Sequence, residues 1–169
     1  SLKDYRLNII NSLIKNVYKL IKDYDPNLIF SIAPDGNINN NYVYHFADIK
    51  TWLLDDNYVD LILPQVYYGF NNQYKPFINT LNEWHDLIKN NCKIVPVLAF
   101  YKVGTLDNMA GTGINEWLDN SYIINRQINY AKTLEKYHGY VLFRYDFIFN
   151  KNLINEKSFE EIEKLKNNN

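Results

Sequence analysis

The sequence predicts an α/β fold in which helices alternate with four parallel strands. Segments with apolar residues at helical spacing take turns with short, almost wholly apolar runs, which is the pattern of helices and buried strands. The connections are short, and such alternation requires parallel strands joined by right-handed crossovers. A length of 169 residues suits one domain with a sizeable core, so residues 1–169 are interpreted as a single domain.

The first half of the chain contains two predicted helices and two predicted strands. These are a helix over residues 2–24, a strand over 28–32, a polar loop over 37–41, a helix over 44–54 and a strand over 59–66. Pro26 follows the first helix, as expected where a helix stops. Pro64 and Gln65 are unusual near a strand end, because proline cannot donate to a ladder and buried glutamine needs a hydrogen-bond partner. This strand end is therefore predicted to face a ligand.

The second half repeats the alternation. The predicted elements are a helix over residues 74–89, a strand over 93–101, a loop with three glycines over 102–113, a helix over 122–137 and a strand over 139–143. Ser158 could cap a last helix that runs to Leu165, with Glu161 at the capping-box position. Residues 167–169 are expected to fray.

Polar residues at the strand ends decide between two architectures, a small open doubly wound sheet and part of a (β/α)8 barrel. No glycine-rich phosphate loop follows the first strand, which disfavours a nucleotide-binding sheet. In a barrel, every strand end contributes to one site. The strand ends here carry Pro34-Asp35, Gln65 with Tyr67-Tyr68, Tyr101-Lys102 and Arg144-Tyr145-Asp146. This pattern favours the barrel, of which four strands form the C-terminal half.

Composition excludes several classes of protein. A formal net charge of −1 argues against a broad basic surface for nucleic acid or anionic lipid. No apolar segment is long enough to span a membrane. Cys92 is the single cysteine, which excludes an intrachain disulfide, and it is predicted to be a small core residue. Three scattered histidines, His45, His85 and His138, lack zinc-site spacing, so no metal site is expected. No cofactor is expected either.

Aromatic residues make up 16% of the chain, including 15 tyrosines. A tyrosine has an apolar ring and a polar tip, and both suit sugar binding. Compositional drift is an equal explanation, because the chain is also rich in Asn, Lys and Ile. No targeting segment is visible, and the first residue is Ser rather than Met, so this absence says little.

Several motifs resemble one protein family. The most specific is Tyr58-Val59-Asp60 followed by Pro64-Gln65-Val66-Tyr67. Others are Tyr5-Arg6, Phe30-Ser31-Ile32-Ala33-Pro34, Gly36-Asn37, Ala47-Asp48, Thr51-Trp52, Tyr101-Lys102, Arg126-Gln127, Gly139-Tyr140-Val141-Leu142-Phe143 and Tyr145-Asp146. By these motifs and their spacing, the chain resembles the C-terminal half of glycosyl-hydrolase-like family ten, which are bacterial (β/α)8-barrel proteins of the cell envelope.

The resemblance implies a glycoside hydrolase that acts on glycan strands similar to peptidoglycan, outside the cell or in its envelope. The first four strands of the family, with an Asp-rich strand end, have no counterpart in this sequence. The isolated chain is therefore expected to be weakly active or inactive. Its two open sheet edges invite pairing between copies, so a homo-oligomer is a hypothesis. The sequence departs from the family at Asp35, usually an uncharged residue, and at Arg144, commonly a small one.

Two carboxylates at strand ends are the candidate catalytic residues. Glycoside hydrolysis uses two carboxyl groups across the scissile bond, about 5–5.5 Å apart for retention and about 6.5–9.5 Å for inversion. Asp35 could be an acid, a base or a group that positions water, although Asp-Gly is also common turn chemistry. Asp146 could accept a sugar hydroxyl, or it could form a structural ion pair with Arg144.

The predicted substrate-binding residues are Gln65, Tyr67, Tyr101, Lys102, Trp117, Arg144 and Tyr145. Gln65 could bond adjacent sugar hydroxyls, or it could be a satisfied polar residue inside the barrel. Lys102 could bind an acidic sugar substituent, or it could be a solvated loop lysine. Trp117 is a candidate for sugar stacking, whereas Trp52 and Trp84 lie on apolar helix faces and are predicted to be core residues.

The sequence is compatible with three functions. The first is part of a glycoside hydrolase, and the second is a non-catalytic glycan-binding domain. The third is a structural domain without a ligand. A second carboxylate within hydrolytic distance of Asp35 or Asp146 would favour the first over the second.

Overall fold

A computed structural model describes residues 1–167 and shows a mixed fold of helices and parallel strands. The helices are α1 (Leu2–Tyr24), α2 (Ile38–Tyr44), α3 (Ile49–Leu54), α4 (Phe77–Leu87), α5 (Glu116–Asp119), α6 (Ile123–Ala131), α7 (Asp146–Phe149) and α8 (Glu156–Asn167). The strands are β1 (Ser31–Ile32), β2 (Leu61–Ile62), β3 (Gln65–Val66), β4 (Lys93–Ile94), β5 (Val97–Ala99) and β6 (Val141–Phe143). Two 3-10 turns cover Phe100–Lys102 and Gly111–Gly113.

The strands form two small parallel sheets, in the orders β1-β2-β4 and β3-β5-β6. The register rows are Ile32–Ile62–Ile94 in the first sheet and Gln65–Val97–Val141 in the second. Parallel pairing of neighbouring strands confirms the α/β prediction. The described residues form no closed barrel.

A row of prolines separates the two sheets. Pro64 lies between β2 and β3, and Pro96 lies between β4 and β5, so two strands predicted as continuous are each split in two. Pro34 lies at the same level of the sheet as Pro64 and Pro96, because each proline is two residues beyond the paired Ile32, Ile62 and Ile94. Because proline has no N–H, each of these residues removes a donor from the ladder at the same level. Their carbonyl oxygens still accept hydrogen bonds from the next strand, at Gln65, Val97 and Val141.

The predictions for residues 37–54 are wrong in detail. The predicted polar loop at 37–41 is mostly helix, because the side chain of Asn37 accepts a hydrogen bond from the Asn39 N–H and caps α2. The predicted helix over 44–54 is interrupted at Phe46, whose φ is 53°. Asp48 then caps α3 through the N–H of Thr51.

Other helix boundaries also differ from the predictions. Helices α4 and α6 are shorter than predicted, and α5, α7 and the two 3-10 turns were not predicted. Helix α8 begins at Glu156 rather than after Ser158, because Asn155 accepts from the Ser158 N–H and takes the capping position. Residue 167, which was expected to fray, is the last residue of α8. The expected fraying of residues 168–169 lies outside the described residues.

The core lies between the sheets and the helices. Trp52 and Trp84 are buried in it, which confirms their prediction as core residues. Cys92 is also buried, and this burial raises the pKa of its thiol to about 12. Within residues 1–167, the structure contains no helix with the length and apolarity needed to cross a membrane.

The outer strands β1 and β6 each pair on one side only among the described residues. Val141 and Phe143 of β6 are partly exposed. Several apolar side chains of α1 are also exposed, namely Leu2, Tyr5, Ile9, Leu13, Leu20 and Tyr24. Unpaired strand edges and exposed apolar side chains favour association.

We expect the chain to self-associate at high protein concentration through its open edges. Sedimentation velocity over a wide concentration range should show a growing dimer population. A lysine at an edge opposes strand pairing, so Val141→Lys should reduce the dimer fraction. A clean monomer at every concentration would contradict this expectation.

Candidate functional site

A cleft of about 620 Å³ lies at the carboxyl ends of β1, β3 and β5. It is lined by five residues that the sequence predicted for the site, Asp35, Gln65, Tyr67, Tyr101 and Lys102. The neighbouring ends of parallel strands meet at one edge, which explains why residues distant in sequence come together. Their predicted roles toward a substrate stay predictions.

Asp35 occupies a tight turn that begins three residues after the end of β1. Its Oδ1 accepts a hydrogen bond of 2.6 Å from the Asn37 N–H, and its own N–H donates to Oδ1 of Asn41. The Asn41 amide also donates to the Asp35 carbonyl oxygen at 2.7 Å. The turn chemistry that the sequence left open is therefore present. Oδ1 of Asp35 is used by the hydrogen bond within the turn, whereas Oδ2 has one long contact of 3.5 Å with the side-chain amide of Asn40.

Gln65 lies beside Asp35, to which it is joined by a parallel β-bridge. Its side-chain Nε2 donates to the carbonyl oxygen of Ala33 at 2.8 Å. That bond orients the amide and uses one donor, and the amide oxygen remains available as an acceptor. Gly36 follows Asp35 in close contact with this strand, because a Cβ there would lie 2.3 Å from the Gln65 carbonyl oxygen.

Tyr67 and Tyr101 form an aromatic wall of the cleft. Their ring centroids are 5.9 Å apart in an edge-to-face arrangement, and Tyr67 also stacks on Phe143 at 5.5 Å. Burial raises the pKa of Tyr67 to about 12 and also raises that of Tyr101. Both hydroxyls are therefore neutral near pH 7 and can donate as well as accept hydrogen bonds.

Lys102 is held by protein groups rather than free in a loop. Its Nζ forms an ion pair of 2.7 Å with Asp107 and donates to the Tyr67 carbonyl oxygen at 2.8 Å. The side chain of Asp107 is only 4% exposed and that of Lys102 is 16% exposed. Lys102 is therefore not a solvated loop lysine, which was one of its two interpretations. Asp107 was missed, since an aspartate in a glycine-rich loop resembles ordinary turn chemistry.

Two further buried side chains hold the segment that follows β3. The Gln127 Nε2 donates to the Tyr68 carbonyl oxygen at 2.8 Å, and the Glu116 carboxylate accepts from the N–H groups of Phe70 and Asn71. Desolvation raises the pKa of Glu116, although these two hydrogen bonds act in the opposite direction. Sequence reasoning missed Glu116 as an anchor, because no local pattern marks a contact about 45 residues away.

Four predicted site residues do not line the cleft. Trp117 is fully buried in the core, so its ring presents no face to a sugar in this structure. Arg144 and Asp146 form an ion pair of 2.7 Å, as one of the two interpretations of Asp146 expected. Tyr145 is exposed, and its ring lies 4.5 Å from that of Phe149.

The charges along the cleft limit its chemistry. Among the residues that line it, Asp35 is the one carboxylate and Lys102 is the one lysine, and this lysine is neutralised by Asp107. The cleft offers an amide, tyrosine hydroxyls, a carboxylate and aromatic rings, which together suit a neutral polyhydroxylated ligand. Hydrolysis of a glycosidic bond would require a second carboxylate across from Asp35.

Comparison with known proteins gives consistent matches. The family model of Glycosyl hydrolase-like 10 matches residues 1–112. The chain is similar to glycosyl hydrolase DigH of Escherichia coli (strain K12), with 25% identity over 162 residues that cover 86% of this chain and 36% of that relative. It is also similar to glycosyl hydrolase YngK of Bacillus subtilis (strain 168), with 23% identity over 148 residues that cover 78% of this chain and 29% of that relative. The chain thus spans about a third of the length of the curated relatives that it matches.

Proposed function

The chain belongs to the glycosyl hydrolase-like 10 family, and on that premise we propose that it forms the C-terminal half of a (β/α)8 barrel in a glycoside hydrolase. The order of the strands supports this proposal. Segments around residues 31–35, 61–66, 93–99 and 141–143 lie side by side in chain order and run parallel. Neighbouring strands of a (β/α)8 barrel have the same arrangement.

The substrate that we propose is a glycan strand of the peptidoglycan type, which would place the parent protein outside the cell or in its envelope. The observation that carries the proposal is the cleft at the carboxyl ends of the strands, where Asp35 and Gln65 lie next to tyrosine rings. Gln65 and the tyrosine hydroxyls would bind sugar hydroxyls. Asp35 would act as an acid or base, or would position water.

The second carboxylate has two proposed sources. Asp146 follows β6, and its ion pair with Arg144 would have to open or turn for it to reach a substrate. The other source is a part of the parent protein that this sequence does not include. In that case the isolated chain is expected to be weakly active or inactive.

A non-catalytic glycan-binding domain is the second candidate function. One observation favours it, because Asp35 is the one carboxylate among the residues that line the cleft. Binding would need the hydrogen-bonding groups and the rings but not a pair of carboxylates. The two candidates therefore differ in whether the charge of Asp35 is required for bond cleavage or only for binding.

We expect Asp35→Asn to lower the release of reducing ends from peptide-free peptidoglycan by at least about tenfold in the parent protein. Asparagine retains an oxygen that can accept from the Asn37 N–H, so the turn is kept while the charge is lost. Asp56→Asn, at an exposed aspartate away from the cleft, is the matched control.

The same assay on the 169-residue chain locates the second carboxylate. Activity in the parent protein alone would place it outside this chain, whereas activity in both would favour Asp146. If neither protein releases reducing ends but both pellet with the glycan, the binding domain is the correct function. If neither pellets, both candidate functions are wrong.

A further inference from the structure

One face of the second sheet carries two rows of side chains that run across its strands. The first row begins at Asp35 and Gln65 and continues through Val97 to Val141. The second row lies two positions further along each strand. Residues at the same register of a parallel sheet point to the same face, and side chains two positions apart share that face. The second row therefore lies on the face that carries Asp35 and Gln65.

The second row joins Tyr67 to Phe143 across a small residue. Ala99 pairs with Phe143, and the pairing of Val66 with Leu98 brings Tyr67 level with Ala99. The small methyl group of Ala99 leaves space above its strand. Tyr67 and Phe143 meet there with ring centroids 5.5 Å apart and planes inclined by 24°.

Tyr101 packs against the Tyr67–Phe143 pair, and the Phe143 ring is partly exposed. Tyr101 contacts both rings edge-on, with centroid distances of 5.9 Å to each. Tyr67 and Tyr101 line the cleft, whereas Phe143 lies next to it and is 41% exposed. Phe143 lies on an outer strand, and in this chain its ring is partly open to solvent beside the polar cleft.

Such a surface matches the chemistry of a sugar ring. A pyranose presents C–H groups on its ring faces and hydroxyls around its edge. Aromatic faces carry partial negative charge and attract the slightly positive C–H hydrogens. Hydroxyls at the sugar edge could then reach the Gln65 amide and the Tyr67 hydroxyl, which lie on the same side of the sheet.

We propose that Phe143, whose ring is held by Tyr67 and Tyr101, is a stacking platform for one pyranose ring of the bound glycan, and that the binding site continues from the Asp35 cleft across Ala99 to β6. This inference rests on the proposed glycan-directed function and names a binding residue beyond the cleft. The platform ends beside Arg144, so a glycan seated on it would run from Asp35 toward the Arg144–Asp146 pair.

Titration with the tetramer of β-1,4-linked N-acetylglucosamine tests the platform. Binding to the 169-residue chain would be followed by ¹H–¹⁵N correlation spectra, which report weak complexes residue by residue. We expect Phe143→Leu to weaken binding about tenfold, because leucine fills similar volume without an aromatic face. Phe143→Tyr should bind like the wild-type chain. Phe159→Leu, at an exposed aromatic residue of α8 outside the cleft, is the matched control.

The outcomes separate this inference from the proposed function. If the wild-type chain binds the tetramer and Phe143→Leu binds equally well, the platform is wrong and the glycan-directed function stands. If the wild-type chain and its parent protein bind neither the tetramer nor peptide-free peptidoglycan, both are wrong. If Phe143→Leu does not fold, the spectra of the wild-type chain test the platform. Amide signals of Asp35 and Gln65 that shift on addition of the tetramer, without a shift at Phe143, would overturn it.

Discussion

Replacing Glu161 by alanine is expected to lower the free energy of unfolding by about 3 kcal/mol. Glu161 of α8 is fully buried, and its carboxylate accepts hydrogen bonds from the N–H groups of Ile124 and Asn125 at the start of α6. The side-chain amide of Asn125 donates to the same carboxylate. Alanine would remove the acceptor for buried donors at a helix N-terminus, where such donors have no partner within the helix.

Chemical denaturation of the two proteins measures this loss. Glu163→Ala is the matched control, because Glu163 lies in the same helix and its bond of 2.7 Å to Lys166 is exposed to solvent. That exposed pair should contribute less than about 1 kcal/mol. Equal stability losses in the two variants would show that the contact between α6 and α8 is not what Glu161 provides.

The pH dependence of stability should carry the signature of the same carboxyl group. Burial raises the pKa of Glu161, although hydrogen bonds from Asn125 and Ile124 partly oppose this change. Between the unfolded pKa and the raised folded pKa, the folded chain binds more protons than the unfolded chain. The stability that this group contributes is therefore full below the unfolded pKa, and it is lost as the pH rises through the folded pKa.

Glu161→Gln lacks this ionisation and isolates its contribution. The difference in unfolding free energy between the wild type and Glu161→Gln should grow in favour of the wild type as the pH falls from about 7 to about 4. A difference that stays constant or shrinks over this range would contradict the raised pKa. Denaturant titrations at several pH values provide the measurement.

Trp84→Ala is expected to lower the free energy of unfolding by about 3–5 kcal/mol. Trp84 is fully buried on α4, and its Nε1 donates to the Gly36 carbonyl oxygen at 2.8 Å. The residue therefore fills the core and also ties α4 to the turn that carries Asp35. Alanine would leave a cavity and an unpaired carbonyl oxygen close to the cleft.

A second variant separates these two contributions. Trp84→Phe keeps most of the apolar volume but cannot donate to Gly36, so its expected cost is about 1–2 kcal/mol. Tyr74→Ala removes an exposed aromatic side chain just before α4 and is the control, with a change of less than about 0.5 kcal/mol. Unfolding curves that agree for Trp84→Ala and Tyr74→Ala would contradict the core role of Trp84.

The position of the cleft follows from features that the sequence carries locally. Apolar periodicity and chain order predict parallel strands, and parallel strands bring their carboxyl ends to one edge. Asp35, Gln65 and Tyr101 each follow or end an apolar run, so their common location could be expected without coordinates. The helix over 38–44 could not, because a run of asparagines resembles a loop unless the cap at Asn37 is formed.

The alternation of helices and parallel strands, the family resemblance and five residues that line the cleft could all be predicted from the amino-acid sequence. The side chains that hold those five residues became visible only in the folded chain. Asp107 pairs with Lys102, Glu116 binds the loop after β3, and Phe143 stacks on Tyr67 across two strands. The physical reason is that periodicity and turn chemistry act over a few residues, whereas burial and pairing of polar groups depend on neighbours brought together from distant parts of the chain.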